Sequence, residues 1–383
     1  MSRPTPISGF PEWLPPQRMI EQYALDRIRT TFELYGFAPL ETRAVEPLDQ
    51  LLRKGETSKE VYLLRRLQAD DGDTGEDLGL HFDLTVPFAR YVLENAGKLV
   101  FPFRRYQIQK VWRGERPQEG RYREFLQADI DIVDRDSIPF HYEAEIPLVV
   151  ADALGGLPIP PIRILVNNRK VCEGFYRGVG VPDPAEALRA VDKLDKIGPA
   201  RVAALLVETA GATEAQAKAC LALAEISGPD ASVADAVRAL GVQDPLLDEG
   251  LTELVQVLDS AAAHAPGLLV AELKIARGLD YYTGTVYETQ LAGYERFGSI
   301  CSGGRYDNLA STGTERYPGV GISIGVTRLL GLLFGRGALT VSRQVPTCVL
   351  VALPAEEDRP ACDRIAAALR RHGTATEVSP SAA

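Results

Sequence analysis

Hydrophobic and polar positions follow two different periods along this chain, and the period predicts the type of element. Apolar residues recur near helical spacing over 17–36 and again over 326–334. Residues 105–113 and 121–133 alternate one by one instead, which predicts two strands joined by a long polar loop as an antiparallel hairpin. Strand character also occurs at 37–45, 61–67, 78–82, 268–275, 285–291, 320–324 and 347–353, and helical character at 359–371. Such blocks of strands and helices predict an α+β fold rather than a doubly wound one.

The middle of the chain has a different composition from the rest. From residue 168 to 265, Ala, Leu, Val and Glu dominate and aromatic residues are rare, which predicts a helical insertion. The insertion divides a discontinuous core, 1–167 and 266–340, and a partial α/β unit is predicted at 341–383.

Two stretches between the predicted elements have the character of turns. The acidic, turn-rich run at 70–77 joins the strand-like stretches at 61–67 and 78–82, which predicts an exposed hairpin. The glycine-rich stretch between the strands at 285–291 and 320–324 predicts turns.

Polar residues occupy one face of the second strand of the hairpin. Gln127, Asp129 and Asp131 point the same way, whereas buried strands normally present apolar side chains to a covering layer. The row is therefore either solvent-facing or the floor of a polar pocket, and alternation alone leaves both open.

Composition narrows the class of protein. The chain has 383 residues, 45% of them hydrophobic and 25% charged, which is ordinary for a soluble globular enzyme. We see no run of about 20 apolar residues that would span a membrane, and no apolar signal segment at the N-terminus. Its odd number of scattered cysteines fits a reducing cytoplasm, and neither they nor the histidines show metal-ligand spacing. These residues are Cys172, Cys220, Cys301, Cys348, Cys362, His81, His141, His264 and His372.

Charge is distributed unevenly. The net charge of −10 argues against general coating of nucleic acid, and DNA is not an expected partner. Residues 101–123 run against this average, with seven Arg and Lys against two Glu. Such a segment has an anionic partner or is a solvated basic hairpin. The chain lacks both the G-x-x-x-x-G-K-[ST] phosphate loop and G-x-G-x-x-G. Phosphate binding would therefore fall to arginines, and Arg113, Arg277 and Arg328 stand in suggestive contexts.

Several segments resemble the motifs of histidine-specific class II aminoacyl-tRNA synthetases. The sequence RGERPQEGRYREFLQ at 113–127 is similar to motif 2, and GISIGVTRLL at 321–330 is similar to motif 3. ARGLDYYTG at 276–284 resembles the first histidine-specific signature, accompanied by SGGRYD at 302–307. ETRAVEP at 41–47 resembles motif 1, and HFDLTVPF at 81–88 matches the eukaryote-like form. The resemblance runs from Met19 to the C-terminus.

The resemblance implies a fold, a reaction and a set of site residues. It implies a mostly antiparallel sheet flanked by helices, on which L-histidine and ATP form histidyl-adenylate and pyrophosphate before transfer to tRNA(His). It also implies Mg²⁺ bridging the phosphates and a homodimer. Catalysis would fall to Arg113 and Arg277. ATP would be bound by Arg113, Glu115, Arg121 and Arg328, and histidine by Asp83, Thr85, Gln127, Asp131, Arg277, Tyr281 and Tyr282. Arg116 and Gln118 would lie near the tRNA acceptor end.

The C-terminal segment departs from the family pattern. Only 42 residues follow Val341, whereas the resemblance implies an anticodon-binding domain on the order of 90 residues. We therefore expect a truncated anticodon-binding domain. An alternative is the histidine-sensing regulatory subunit of ATP phosphoribosyltransferase, which resembles the catalytic core without that domain. Retention of Arg113, Arg277 and Arg328 favours catalysis. A non-catalytic paralogue that binds tRNA or protein is a third possibility.

Overall fold

The computed structural model describes residues 5–52, 59–66, 77–275 and 281–382. Within these residues the chain forms two compact units. The larger unit comprises Met1–Pro11 and Asp26–Leu332, and the smaller comprises Glu12–Leu25 and Leu333–Ala383. The predicted strands at 61–67 and 78–82 pair antiparallel, as a hairpin requires, whereas the acidic run that joins them lies almost entirely outside the described residues. No helix of the described residues is long and apolar enough to cross a membrane.

Strands and helices follow one another largely in blocks. The strands are β1 (Ala38–Pro39), β2 (Val45–Pro47), β3 (Tyr62–Leu64), β4 (Leu78–Leu80), β5 (Phe103–Trp112), β6 (Glu124–Val133), β7 (Ile162–Asn168), β8 (Ser227–Gly228), β9 (Leu269–Glu272), β10 (Tyr282–Leu291), β11 (Cys301–Ser311), β12 (Arg316–Gly325), β13 (Val349–Val351) and β14 (Thr376–Val378). The helices are α1 (Pro15–Leu34), α2 (Leu48–Leu51), α3 (Thr85–Asn95), α4 (His141–Gly155), α5 (Arg169–Val179), α6 (Pro184–Val191), α7 (Leu194–Ala210), α8 (Glu214–Ala224), α9 (Ser232–Arg238), α10 (Pro245–His264), α11 (Val326–Gly335) and α12 (Arg359–Arg371). Single 3₁₀ turns lie at Glu295–Phe297 and Glu356–Asp358.

One large sheet organises the larger unit. Its strand order is β1-β5-β6-β12-β11-β10-β7-β9-β8, and every pair from β5 to β7 is antiparallel. Strands β2, β4 and β3 form a separate small antiparallel sheet. The mostly antiparallel sheet with helices confirms the predicted α+β class and agrees with a class II synthetase core.

The predicted hairpin is present, with one change at its second strand. β5 and β6 pair antiparallel, and the apolar face of β6 is fully buried at Ala128, Ile130 and Ile132. The second strand was predicted to begin at Arg121 but begins at Glu124. The reason is a competing hydrogen bond, because the Arg123 N–H donates to the carbonyl oxygen of Gly9 over 2.7 Å.

Glycines of the β11–β12 pair serve close approach rather than turns. Turns were predicted here, yet Gly303, Gly304 and Gly319 lie within strands, so that prediction was wrong at these positions. A Cβ at Gly304 would meet the Thr285 carbonyl oxygen at 2.5 Å, and one at Gly319 would meet the Tyr306 ring at 2.7 Å. Any larger residue would force these strands apart.

Helices α5 to α10 occupy the segment predicted as helical. Local capping explains where they begin: the Asn168 side chain accepts from the Lys170 N–H, and Thr213 forms a reciprocal capping box with Gln216. α5 ends at Gly180 in the left-handed region, with φ of 84°. These helices belong to the larger compact unit. Their independence as a domain, like the other predicted domain boundaries, stays a prediction.

The smaller unit contains the predicted strand and helix of the C-terminal segment. β13 pairs in parallel with β14, and α12 lies between them in sequence. Cys362 and Ala366 are the buried residues of α12, and they form its apolar face. Within the same unit the Trp13 ring contacts Phe334 edge-on at 5.3 Å between centroids.

Candidate functional site

Two adjoining pockets open on the polar face of the large sheet. The inner pocket, a cavity of about 70 Å³, is lined by Asp83, Thr85, Arg113, Gln127, Asp129, Asp131, Tyr281, Tyr282, Ser302, Tyr306, Gly321, Ile322 and Ser323. The outer pocket, of about 220 Å³, is lined by Arg113, Glu115, Gly120, Arg121, Tyr122, Phe125, Gln127, Ser299, Ile300, Cys301, Ser302, Ser323, Gly325 and Arg328. Four residues line both: Arg113, Gln127, Ser302 and Ser323. The polar row of β6 is therefore a pocket floor rather than a solvent-facing surface.

Pairing of β6 with β12 shapes this floor. Asp131 lies opposite Gly321, and Asp129 lies opposite Ser323. A Cβ at Gly321 would overlap the Asp131 carboxylate, so glycine leaves the space that this side chain occupies. The Gln127 side-chain amide donates to the Ser323 hydroxyl over 2.7 Å. Adjacent strands thus hold the floor residues in fixed orientations.

Asp131 has two strong donors beneath the inner pocket. Arg105 on β5 places its Nη2 2.6 Å from Asp131 Oδ2, and both side chains are buried. The Tyr306 hydroxyl on β11 donates to the other carboxylate oxygen, Oδ1, over 2.8 Å. The Arg105 guanidinium also lies over the Phe88 ring, 4.3 Å from its centroid. These contacts favour the ionised form of Asp131.

Asp129 lies in a different electrostatic setting. Its side chain is 2% exposed, and burial raises the pKa of its carboxyl to about 7, against the lowering effects of Arg105 and a hydrogen bond with Ser323. The neighbouring carboxyls of Asp131 and Asp83 raise the pKa further. This carboxyl therefore changes protonation near neutral pH.

The walls of the inner pocket come from α3 and β10. Asp83 precedes α3, and its Oδ1 accepts from the Val86 N–H over 3.0 Å, which fixes the carboxylate at the N-terminus of this helix. Thr85 is the first residue of α3. Tyr281 and Tyr282 lie opposite, with ring centroids 4.1 Å apart. Burial raises the pKa of Tyr281 well above its ordinary value, so its hydroxyl stays protonated.

The outer pocket brings together the predicted ATP-binding residues. The Arg113 Nε donates to the Phe82 carbonyl oxygen over 2.9 Å, and its guanidinium lies 5.1 Å from the centroid of the Phe125 ring. Arg121 places Nη1 3.2 Å from Glu115 Oε2. Arg328, in the first turn of α11, donates to the Phe297 carbonyl oxygen. Three guanidinium groups thus surround one cavity, as binding of a polyphosphate requires.

Three predicted site residues are not placed in either pocket. Arg277 lies outside the described residues. Arg116 and Gln118 belong to the loop between β5 and β6 but do not line the pockets. Two backbone hydrogen bonds join Gln118 and Arg121. The Gln118 N–H donates to the Arg121 carbonyl oxygen over 3.3 Å, and the Arg121 N–H donates to the Gln118 carbonyl oxygen over 2.8 Å. The roles proposed for these residues stay predictions.

Much of the basic segment at 101–123 has partners within the chain. Arg104 pairs with Glu145 and Lys110 with Glu124, each at 2.6 Å. Together with the buried Arg105–Asp131 pair, these contacts neutralise the first half of the segment internally. Of the four other cations, Arg113, Arg116, Arg121 and Arg123, the first and third line the outer pocket. The anionic partner that the charge pattern indicated is therefore partly the protein itself.

Sequence reasoning assigned no role to several residues that shape the site. Asp129 was recognised as part of the polar row but was not assigned a role, and Arg105 was counted only as part of the basic segment. Tyr306 and Ser323 lie within segments that carried the resemblance. Alternation on β5 places Arg105 on the same face as Gln107 and Gln109, which was the available signal. His81 is fully buried, with Nε2 2.7 Å from the Lys110 carbonyl oxygen.

Comparison with known proteins gives consistent results. A family model described as "Histidyl-tRNA synthetase" matches residues 9–329. A protein named histidine–tRNA ligase from Micrococcus luteus is 58% identical over 393 residues, covering 100% of this chain and 86% of the relative. The crystal structure of histidyl-tRNA synthetase from Nostoc sp. PCC 7120 aligns with a TM-score of 0.88 at 36% identity, covering 99% of this chain and 86% of that one. A Bacillus halodurans structure titled ATP phosphoribosyltransferase regulatory subunit/histidyl-tRNA synthetase aligns with a TM-score of 0.81 at 18% identity over 98% of this chain and 92% of that one, which shows the shared fold alone.

Proposed function

This chain belongs to the histidyl-tRNA synthetase family, and from that premise we propose how its two pockets perform the ligase reaction. The protein is an aminoacyl-tRNA synthetase: it activates L-histidine with ATP, releases pyrophosphate, and transfers the histidyl group to tRNA(His). The observation that carries the assignment of sites is the junction of the pockets at Arg113. An acidic inner pocket suits the ammonium and imidazole N–H groups of histidine, and an arginine-rich outer pocket suits ATP.

Amino-acid recognition is proposed for the inner pocket. Asp83, Thr85 and Gln127 would receive the α-ammonium group, and Asp131 with Tyr281 and Tyr282 would receive the imidazole. Asp131 is held as an anion by Arg105 and Tyr306, so it is prepared to accept from a ring N–H. A pocket that hydrogen-bonds the polar ring can reject an apolar analogue by about 10⁴ or more, because its own buried groups would then lack partners.

Phosphate binding is proposed for the outer pocket. Arg113 lies at the junction, where the histidine carboxylate would meet the α-phosphate, and Arg328 would hold the γ-phosphate end. Arg121 and Glu115 would contribute further contacts to ATP. Arg277 is proposed to reach both the carboxylate and the α-phosphate on the strength of its motif. Fixed guanidinium groups around the reacting phosphate stabilise developing charge without reorganisation.

Magnesium is proposed as the metal ion that would bind together with ATP. Among the described residues, no group of three or more His, Cys, Asp or Glu side chains is placed to hold a metal ion. Mg²⁺ is usually bound through one or two carboxylates together with substrate phosphates and water. Glu115 is the carboxylate of the outer pocket that fits this role, within the residues that the structure describes. The ion would neutralise phosphate charge.

The tRNA contacts, the oligomeric state and the location of the protein are further proposals. Arg116 and Gln118 lie on the loop beside the outer pocket and would contact the acceptor end of tRNA(His). A homodimer and a cytoplasmic location are proposed from family membership. Sedimentation analysis of the purified chain tests the dimer.

The test of function is ATP–pyrophosphate exchange. We expect exchange with histidine and none with the other amino acids, followed by charging of tRNA(His). The regulatory-subunit alternative predicts histidine binding without exchange. Relatives named histidine–tRNA ligase at 54–58% identity over the whole chain support the ligase instead.

A further inference from the structure

Asp129 Oδ1, which belongs to the lining of the inner pocket, has no hydrogen-bond donor within the part of the chain that the structure describes. Asp83 accepts from the Val86 N–H, and Asp131 accepts from Arg105 and Tyr306. Asp129 is 2% exposed, yet among the described residues no donor reaches its Oδ1. Buried acceptors without donors are rare and unfavourable in folded proteins. An orphaned acceptor that lines a ligand pocket therefore indicates a contact that the ligand completes.

The spacing of Asp129 and Asp131 matches the size of an imidazole ring. Both point from the same face of β6, where residues two apart are separated by roughly 6.6–6.8 Å. An imidazole with a hydrogen bond of about 2.8 Å at each nitrogen spans roughly 7 Å between its two partners. A ring that lies along β6 can therefore contact one carboxyl with each nitrogen.

The two carboxyls must play different hydrogen-bonding roles toward a neutral imidazole. A neutral imidazole has one N–H donor and one acceptor nitrogen, so one partner must accept and the other must donate. Arg105 and Tyr306 keep Asp131 ionised, which makes it the acceptor. The groups facing Asp129 are Arg105 from β5, Asp131 on β6, Asp83 before α3, Ser323 from β12 and the phenol of Tyr281.

We propose that the Asp129 carboxyl binds the second ring nitrogen of substrate histidine, opposite Asp131, and shares one proton with the ring. This assignment rests on the proposed function, which makes histidine the ligand. Burial raises the pKa of the Asp129 carboxyl to about 7, so above that pH the carboxyl of the unliganded protein is ionised. The imidazole ring of free histidine is neutral there. Binding then takes one proton from solvent and holds it between Asp129 Oδ1 and the ring nitrogen.

Calorimetric titration of histidine at pH 8, in two buffers of different ionisation enthalpy, measures this proton. The wild-type protein should take up close to one proton more per histidine than D129N, because the asparagine amide already supplies the donor. D259N, at an exposed site on α10, should behave as wild type. No proton uptake by the wild type would mean that the ammonium group, not the ring, faces Asp129, because an ionised carboxylate and an ammonium pair without exchanging a proton with solvent. Equal uptake by wild type and D129N would also overturn the assignment.

Affinity provides a second measurement. D129A removes both donor and acceptor, and we expect histidine to bind about 10–100-fold more weakly, as for a lost hydrogen bond involving a charged group. Imidazolelactate, which has a hydroxyl in place of the ammonium, should lose the same factor. A loss confined to histidine would assign Asp129 to the ammonium and contradict the proposal, as would unchanged affinity for both ligands.

Pyrophosphate exchange separates this inference from the proposed function. Histidine binding without exchange by the wild type would refute the ligase assignment and leave the proton measurement intact. Exchange by the wild type, with the same proton uptake in D129N, would refute only the role of Asp129.

Discussion

Arg105 and Asp131 form a buried ion pair between neighbouring strands, with Arg105 Nη2 2.6 Å from Asp131 Oδ2 and neither side chain more than 4% exposed. The two residues are direct partners in the β5–β6 register. The cation therefore lies beneath the carboxylate proposed to bind the imidazole, and fixes its charge and its orientation.

Arg105→Met should uncouple this pair and leave a buried carboxylate without its cation. Removal of one partner of a buried pair costs about 3–5 kcal/mol. We expect lower unfolding free energy by chemical denaturation and a higher KM for histidine in pyrophosphate exchange. Arg104→Met is the matched control, because its pair with Glu145 is partly exposed, at 21% and 27%. Similar losses in both variants would contradict a special role for Arg105.

Gly321→Ala should damage histidine binding by displacing Asp131. The new methyl group would overlap the Asp131 carboxylate, and such overpacking costs about 1–3 kcal/mol. The KM for histidine should rise about tenfold, with a smaller change in the KM for ATP. Gly155→Ala at the end of α4 is the control, because its Cβ would meet no atom within 4 Å. A normal KM in Gly321→Ala would show that Asp131 does not bind the substrate in this position.

Arg113→Ala and Arg277→Ala should nearly abolish adenylate formation while the fold remains intact. Loss of a fixed donor to developing charge typically lowers kcat by about 10²–10³-fold. Histidine-dependent pyrophosphate exchange measures the effect, and circular dichroism checks the fold. Arg201→Ala is the control, since its pair with Glu208 on α7 is exposed. Unchanged exchange in both variants would refute the proposed mechanism.

Asp129→Asn should stabilise the protein more at pH 8 than at pH 5. Burial raises the folded pKa of Asp129 to about 7 from an ordinary 3.8, so the folded state binds more protons than the unfolded state between these values. As the pH rises from 3.8 to about 7, the free energy of unfolding of the wild-type protein therefore decreases because of this carboxyl, and the asparagine variant does not show that decrease. The difference at pH 8 is on the order of a few kcal/mol. Urea denaturation of both proteins at the two pH values measures it, and an equal difference at both would contradict the raised pKa.

Short-range patterns accounted for most of the elements. The 3.6-residue period predicted α1 and α11, and the two-residue period predicted β5 and β6, because these patterns report which face of an element is buried. The first and last residues of each element were harder to predict from the sequence. The first residues of the predicted second hairpin strand hydrogen-bond elsewhere, and the glycines of β11 read as turns because their crowding by β10 and β12 is not visible locally.

The candidate site was predicted unevenly for the same reason. Asp83, Gln127 and Asp131 were found through motifs, and the structure gathers them in one pocket. Arg105 was missed because alternation placed it on the polar face of β5 but could not show that it is buried beside Asp131 of the neighbouring strand. Tyr306 donates to Asp131 from 175 residues away, so its role depends on strand order.

The sequence by itself determined the family, the type of most elements and the polar face of β6, since each follows from residues close together in the chain. Only the tertiary structure decided whether that face is solvated, which carboxyl is paired and which is left with a raised pKa. Those properties depend on burial and on charges from β5, β11 and β12, and electrostatic interactions act through space rather than along the sequence.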